Sequence, residues 1–380
     1  MKWMKYCLLC LLLITGFSCK ESYEPDIISS TASYMVVEGI LTVGGPATVR
    51  ITRTSPLNLS GFKAELNAQV TVEGKDNSTR SMLHAGNGNY SSPNLNIIIN
   101  NEYRLRIRTS AGKEYLSEYV KARQTPAIDS IGWKRSDEGL RIYANAHDAS
   151  GNTRYYRWDY DETWEIRAYF YSRYIYTRSN NTVRERTPAE EVYTGWKYNN
   201  SKSILLASSA KLQSDVIFES PINFINSGDE RFSARYSILL RQYALDKAGY
   251  DFYDLMKRNT ESLGTIFDAQ PSEIKGNIQC LTNPAEPVIG YISASTIAEK
   301  RIFISSAELP GWRFLESCVL ENVVNHPDSL YAAFGNEHLM PIDAIYHPVI
   351  ANRIVGYLSS HPSCGDVTKR GASLVRPLYW

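Results

Sequence analysis

The chain has 380 residues, with 41 Lys and Arg against 40 Asp and Glu and a formal net charge of +1. It therefore lacks the basic surplus with which proteins track a phosphate backbone, and nucleic acid is not an expected partner. At roughly 100–200 residues per domain the length predicts about two domains, and a hydrophobic content of 43% lets each bury a core.

Lys2 and Lys5 precede the apolar run Cys7-Leu8-Leu9-Cys10-Leu11-Leu12-Leu13-Ile14, which is followed by Thr15-Gly16-Phe17-Ser18-Cys19. Residues 1–18 read as a signal peptide. The run is too short to span a bilayer, and no later window supplies the roughly 20 apolar residues of a spanning helix. Gly16-Phe17-Ser18-Cys19 resembles the lipobox of bacterial lipoproteins, with Gly16 where Leu is preferred, and makes Cys19 the expected lipid anchor. Acyl chains contribute about 0.8 kcal/mol per buried CH₂, so several on one cysteine hold a protein at a membrane without a spanning helix. Residues 19–33, polar and containing Pro25, read as a tether.

Short β-rich runs follow at Tyr34 to Leu41, Ala47 to Thr52, Ala68 to Val72, Tyr103 to Thr109 and Glu114 to Lys121, with turn signals at Gly44-Gly45-Pro46, Gly86-Asn87-Gly88-Asn89 and Ala111-Gly112. In Tyr103-Arg104-Leu105-Arg106-Ile107-Arg108 the apolar residues point one way and the arginines the other. The arginine row is either a site for an anion or a solvated face balanced by carboxylates across the strands, and the second is favoured. Residues 34–124 are expected to form an immunoglobulin-like β-sandwich, with a domain boundary near Pro126.

Residues 125–380 are expected to form a larger β-rich domain with one packed α-helix, so that the whole fold is mainly β. Tyr155 to Ile166 alternates aromatic and charged residues, and aromatics continue through Tyr176, which fits two long strands. Tyr155, Trp158, Tyr160, Trp164, Tyr169, Tyr171 and Tyr174 form the candidate partner or ligand surface, because exposed Tyr and Trp anchor interfaces and stack on sugars. Core packing is the competing reading for each residue. The helix is predicted near 246–262, with Asp246 as N-cap, Ala248, Phe252, Leu255 and Met256 at helical spacing, and Gly264 as its stop. Strand candidates follow at Val288 to Ser293 and Arg301 to Ser305, and then a loop-rich tail with His, Pro and Gly.

Beyond the signal peptide and Cys19, the cysteines are Cys280, Cys318 and Cys364. Export permits a disulfide; spacing decides none of the three pairings, and Cys318–Cys364 is favoured. No pair has close ligand spacing, so no metal is expected. There is no H-E-x-x-H, G-x-S-x-G, P-loop or dinucleotide fingerprint, and no cofactor is expected. Asp159, Asp161, Glu162 and Glu165 suggest a glycosidase pair only by proximity in sequence, which does not supply the required opposed geometry. Asp148-Ala149-Ser150-Gly151-Asn152 has the alternating oxygens of a calcium loop but lacks a downstream bidentate carboxylate, and reads as a hairpin loop.

The pieces Arg241-Gln242-Tyr243-Ala244-Leu245, Tyr250-Asp251-Phe252-Tyr253, Gly264-Thr265-Ile266-Phe267-Asp268, Tyr155-Tyr156-Arg157-Trp158, Glu162-Thr163-Trp164, Pro287-Val288-Ile289-Gly290-Tyr291 and Arg376-Pro377-Leu378-Tyr379-Trp380 together resemble the domain of unknown function 4249 family of Bacteroidota outer-membrane lipoproteins. Where similar proteins carry Cys-x-Asp-Cys, this chain has Cys364-Gly365-Asp366-Val367, a departure that bears on any disulfide carried over from the family. The resemblance implies an outer-membrane address, on the periplasmic or cell-surface side, and an accessory role beside a TonB-dependent receptor in nutrient uptake. It implies no chemistry, and the chain is not expected to be an enzyme. The alternatives are a free-standing glycan-binding or adhesive lipoprotein and, last, a hydrolase assembled from separated residues.

Overall fold

The computed structural model describes residues 33–55, 62–261, 274–312, 314 and 317–380. The signal peptide, Cys19, all but the last residue of the tether and Gly264 lie outside the described residues. Among the described residues no helix is long and apolar enough to cross a membrane.

The first unit begins with β1 (Met35–Thr42), β2 (Ala47–Arg53), β3 (Lys63–Ala64), β4 (Gln69–Gly74), β5 (Thr79–Gly86), β6 (Asn89–Ser92), β7 (Glu102–Arg108), β8 (Glu114–Ser117) and β9 (Val120–Lys121). β5 pairs with β4 up to Met82 and with β6 from Leu83, so one continuous sheet folds over a single core. Tyr103, Leu105 and Ile107 are buried in that core, as their alternation predicts. On the other face Arg104 and Arg106 donate to Glu73 at 2.7 and 2.5 Å, and Arg108 reaches Glu114 at 2.8 Å. The arginine row is thus a charge-balanced sheet face.

The second unit runs through β10 (Ile128–Arg135), β11 (Gly139–His147), β12 (Tyr155–Arg167), the hairpin β13 (Tyr174–Thr177) and β14 (Thr182–Glu185), then β15 (Thr194–Asn200), β16 (Leu205–Ser208), β17 (Val216–Asn226) and β18 (Arg235–Leu245). Helix α1 (Lys247–Glu261) follows, then β19 (Ile278–Cys280), β20 (Val288–Gly290), β21 (Ser293–Ser295) and β22 (Ile297–Ser305). The sheet β10-β11-β17 faces the sheet β15-β12-β18-β22 across a core that includes Leu140, Ile142, Trp158, Ile225, Tyr236 and Leu240. With β16 also paired to β12, three strands against five make a second immunoglobulin-like sandwich, a regular form for what the sequence marks only as β-rich.

Residues 34–124 do not complete the first sandwich by themselves. β19 adds antiparallel to β8, and β20 and β21 add parallel to β1, before the chain returns to the second sandwich as β22. A parallel partner cannot be reached through a tight hairpin, so it must come from a distant segment. The seam is close: a Cβ on Gly290, whose φ is +151°, would stand 2.2 Å from the Val37 carbonyl oxygen.

Helix α1 begins where the sequence predicts, with the Asp246 carboxylate accepting from the Gly249 amide at 2.8 Å. Its buried face is Gly249, Phe252 and Tyr253, with Leu255 and Met256 half-buried, while Ala248 is exposed. The face is rotated because Tyr291 lies against Gly249, where a Cβ would come within 2.9 Å of the ring.

The expected loop-rich tail is instead a small packed unit of β23 (Glu321–Val324), α2 (Pro327–Phe334), β24 (Met340–Tyr346), β25 (Ile354–Ser360) and α3 (Pro362–Gly365). α2 and α3 are therefore short helices beyond the single one expected. Strand order is β23-β25-β24. Val323, Leu330, Phe334 and Tyr357 pack there against Tyr174 of the β13–β14 hairpin, and Cys318 and Cys364 are joined by a disulfide.

Candidate functional site

β12 divides the aromatic set by its alternation. Tyr156, Trp158, Tyr160 and Trp164 face the second core, whereas Tyr155 turns toward α1 and meets Tyr250 at a ring distance of 5.1 Å. Trp158 is 2% exposed and its indole N–H donates to Gln242 Oε1 at 2.9 Å, so it is core and is removed from the candidate surface. Tyr160 is half-buried, and burial, followed by the charge of Glu162, pushes its phenol up to about 12. Trp164 is also half-buried, donating to Glu230 at 3.1 Å. Tyr174 is 2% exposed against Tyr357 and is likewise core.

Tyr169 and Tyr171 behave differently, at 56% and 54% exposed. β12 ends at Arg167, and residues 168–173 form a loop rather than a strand. Its backbone is pinned to three separate segments: the amides of Ala168, Phe170 and Arg173 donate to the carbonyls of Tyr193, Cys364 and Ile342 at 2.8, 2.9 and 2.8 Å. Tyr169 packs edge-on to Phe170 at 4.8 Å, and Tyr171 packs likewise on Tyr193 at 5.4 Å. A hydrogen bond to Glu191 raises the Tyr171 phenol above its ordinary range. The geometry presents two exposed rings from a fixed backbone.

A groove of about 640 Å³ lies on the outer face of β12, β15, β18 and β22, lined by Asp161, Tyr198, Asn199, Asn200, Arg301 and Tyr379 among others. The segment after Ser373 crosses this face. Tyr379 shares a 2.7 Å hydrogen bond with Thr163 and lies under the Arg301 guanidinium, while Trp380 donates to Glu165 at 3.1 Å. Tyr193 and Tyr198 were not among the residues singled out from the sequence, although the alternation Trp196, Tyr198, Asn200 is legible in it.

The four carboxylates on β12 are held by cations or amides. Asp159 and Asp161 project outward to Arg241, Glu165 pairs with Arg167 at 2.9 Å, and Glu162 turns inward. Glu162 accepts from the Tyr236 hydroxyl at 2.6 Å, from Asn223 at 2.8 Å, from Asn199 at 3.1 Å and from Arg231 at 3.2 Å. Burial, then the Glu162 charge, holds the Tyr236 phenol well above its ordinary range. The Asp148 carboxylate accepts from the backbone amides of Ser150, Asn152 and Thr153, as in a hairpin loop, and no metal-holding cluster occurs among the described residues.

Several of the pieces that carry the family resemblance meet at one junction. Gln242 bonds Trp158 and also the Pro126 carbonyl at 2.8 Å; the half-buried Arg157 guanidinium lies 4.6 Å from the Tyr243 ring and 4.9 Å from the Tyr253 ring. Asp246 caps α1 and accepts from the Tyr291 hydroxyl at 2.8 Å. These residues bind the helix, the linker and the segment returning to the first sandwich into one packed joint.

A family model described as domain of unknown function (DUF4249) matches residues 20–301. The chain belongs to that family. In this DUF4249 protein the match ends within β22, so the C-terminal unit and the Arg376–Trp380 piece lie beyond it. No curated protein matches the chain. Among solved structures, a segment of two fibronectin type III domains from chicken tenascin is similar at 7% identity, over 56% of this chain and 92% of that one, with a TM-score of 0.17. The FN1–FN3 domains of chicken CNTN1 are similar at 12% identity, over 56% and 63% of the two chains, with a TM-score of 0.21.

Proposed function

We propose that this DUF4249 protein is a lipid-anchored, non-enzymatic binding protein of the outer membrane that docks on a TonB-dependent receptor as an accessory in nutrient uptake. The observation that carries this reading is the pair Tyr169 and Tyr171, exposed on a loop whose backbone is tied to three neighbouring segments. Large aromatic side chains already held in place give up little freedom on docking, which is why such residues dominate interface energetics. The lipobox-like Cys19 supports the membrane address, and the neutralised carboxylates of β12 support a role without catalysis.

Affinity purification from detergent-solubilised outer membranes tests the reading. The wild-type chain is expected to bring down a receptor stoichiometrically, and Tyr169→Ala with Tyr171→Ala to lose it while staying membrane-bound. Recovery of the wild-type chain alone, with Cys19 acylated, overturns the receptor role.

A second reading, free-standing glycan binding, is favoured by the outer-face groove, where Tyr198 and Tyr379 supply rings beside the amide of Asn200. It predicts retention of the purified chain on immobilised glycans and loss of retention in Tyr198→Ala.

A further inference from the structure

The C-terminal unit borders a second, open cavity, of about 270 Å³, between the β13–β14 hairpin, the end of α2 and the start of β24. Phe334, Met340 and Pro341 give it an apolar lining, and Arg178, Arg186 and Lys369 are among its charged groups. Its carboxylates are already engaged. Glu337 pairs with Lys369 at 2.7 Å, and Asp366 accepts from the Thr368 amide and hydroxyl at 2.8 and 2.6 Å.

The arginines are not matched in this way. Arg186 donates Nε to Ser172 Oγ and Nη1 to the Glu190 carbonyl, each at 3.1 Å, which fixes the guanidinium in place. Among the described residues the rest of its donor fork has no partner, and neither Arg186 nor the exposed Arg178 is in an ion pair. Burial, only partly offset by the more distant Asp366, Glu190 and Glu191, lowers the Arg186 pKa. The arginines with displaced pKa values elsewhere in the described chain, Arg53, Arg106, Arg157, Arg184, Arg231 and Arg241, all move upward. Arg186 is half-buried and has gained no carboxylate partner among the described residues, the condition that a bound anion corrects.

We propose that this cavity binds a small amphiphilic anion, with a carboxylate or phosphate head on Arg186, Arg178 at the mouth, and a short apolar body against Phe334, Met340 and Pro341. At roughly 30 Å³ per water-sized group the space holds about nine non-hydrogen atoms, which sets the ligand size near a six-carbon chain with its head group. Neither Tyr169 nor Tyr171 lines the cavity, although Arg186 holds Ser172 of the same loop, and the proposal stands whether or not the chain docks on a receptor.

Calorimetric titration of the purified chain with hexanoate, hexyl phosphate, hexanol and inorganic phosphate tests it. One of the two amphiphilic anions is expected to bind with a millimolar Kd or tighter, and hexanol and inorganic phosphate each about tenfold more weakly or worse, since each offers only half of the recognition. Which head binds better identifies the ligand class. Arg186→Met is expected to weaken the anion at least about tenfold. Because Arg186 also ties Ser172 to Glu190, the exposed Arg178→Glu serves as a variant that leaves the fold intact; it is expected to weaken binding about fivefold or more at low salt, and less at high salt. Hexanol binding as tightly as the better of the two amphiphilic anions, undiminished binding of that anion in Arg178→Glu, or no heat with either amphiphilic anion overturns the proposal.

Discussion

Glu162→Leu is the perturbation that most directly tests the account of the second core. The Glu162 carboxylate is shielded from water and accepts from Tyr236, Asn223, Asn199 and Arg231. Removing one member of a buried ion pair costs about 3–5 kcal/mol, because the partner is left uncompensated. Arg231 is partly exposed and keeps Asp229 at 2.9 Å, so the lower end, about 3 kcal/mol, applies. Glu162→Gln retains one acceptor oxygen and is expected to cost about 1–3 kcal/mol. In the double variant Glu162→Leu with Tyr236→Phe the orphaned hydroxyl is gone, and the combined loss is expected to fall short of the sum of the singles by about 1–2 kcal/mol. Urea unfolding followed by tryptophan fluorescence reads this well, since Trp158 and Trp164 lie in the same core cluster. With a slope of about 2–3 kcal/mol per molar, Glu162→Leu shifts the midpoint down by about 1–1.5 M. A shift below about 0.3 M, or strict additivity in the double variant, refutes the claim that Glu162 is the hub of this network.

Trp158→Ala is expected to cost about 3–5 kcal/mol by emptying a core site, whereas Tyr169→Ala stays within about 0.5 kcal/mol; the same urea titration separates them. Replacing Cys318 and Cys364 by Ser opens a cross-link with a sequence separation of 46 residues, and loop entropy puts the loss at about 4 kcal/mol. It should appear as early proteolysis of the C-terminal unit while the two sandwiches persist. His147 lies 2.8 Å from Asp129, whose hydrogen bond and charge raise its pKa above the ordinary 6.5. The contribution of this pair to stability is present below about 6.5, the unfolded-state value, and is lost as pH rises through the folded-state value. In an NMR titration Asp129→Asn should return His147 toward 6.5; no change in its midpoint sinks the assignment.

What the sequence determines here is local: chemistry within one turn or one strand. The alternation of Tyr103, Leu105 and Ile107 with three arginines requires one dry and one wet face, and Asp246 before a helical run supplies its own N-cap; both follow from near neighbours alone. The proposed membrane address rests likewise on a contiguous segment, residues 1–19.

Tertiary structure decided whatever depends on what stands opposite. Alternation along Tyr155–Arg167 divides the strand into two faces, but only the facing sheet makes Trp158 core, and only the hydrogen bonds to Tyr193, Cys364 and Ile342 hold Tyr169 and Tyr171 at the surface. Tyr174 is buried because Tyr357, far along the chain, covers it. β20 and β21 complete the first sandwich from beyond the helix, since parallel pairing always joins distant segments. The same holds for Arg186, whose lack of a carboxylate partner among the described residues is a property of the cavity around it and has no signature in its neighbours along the chain.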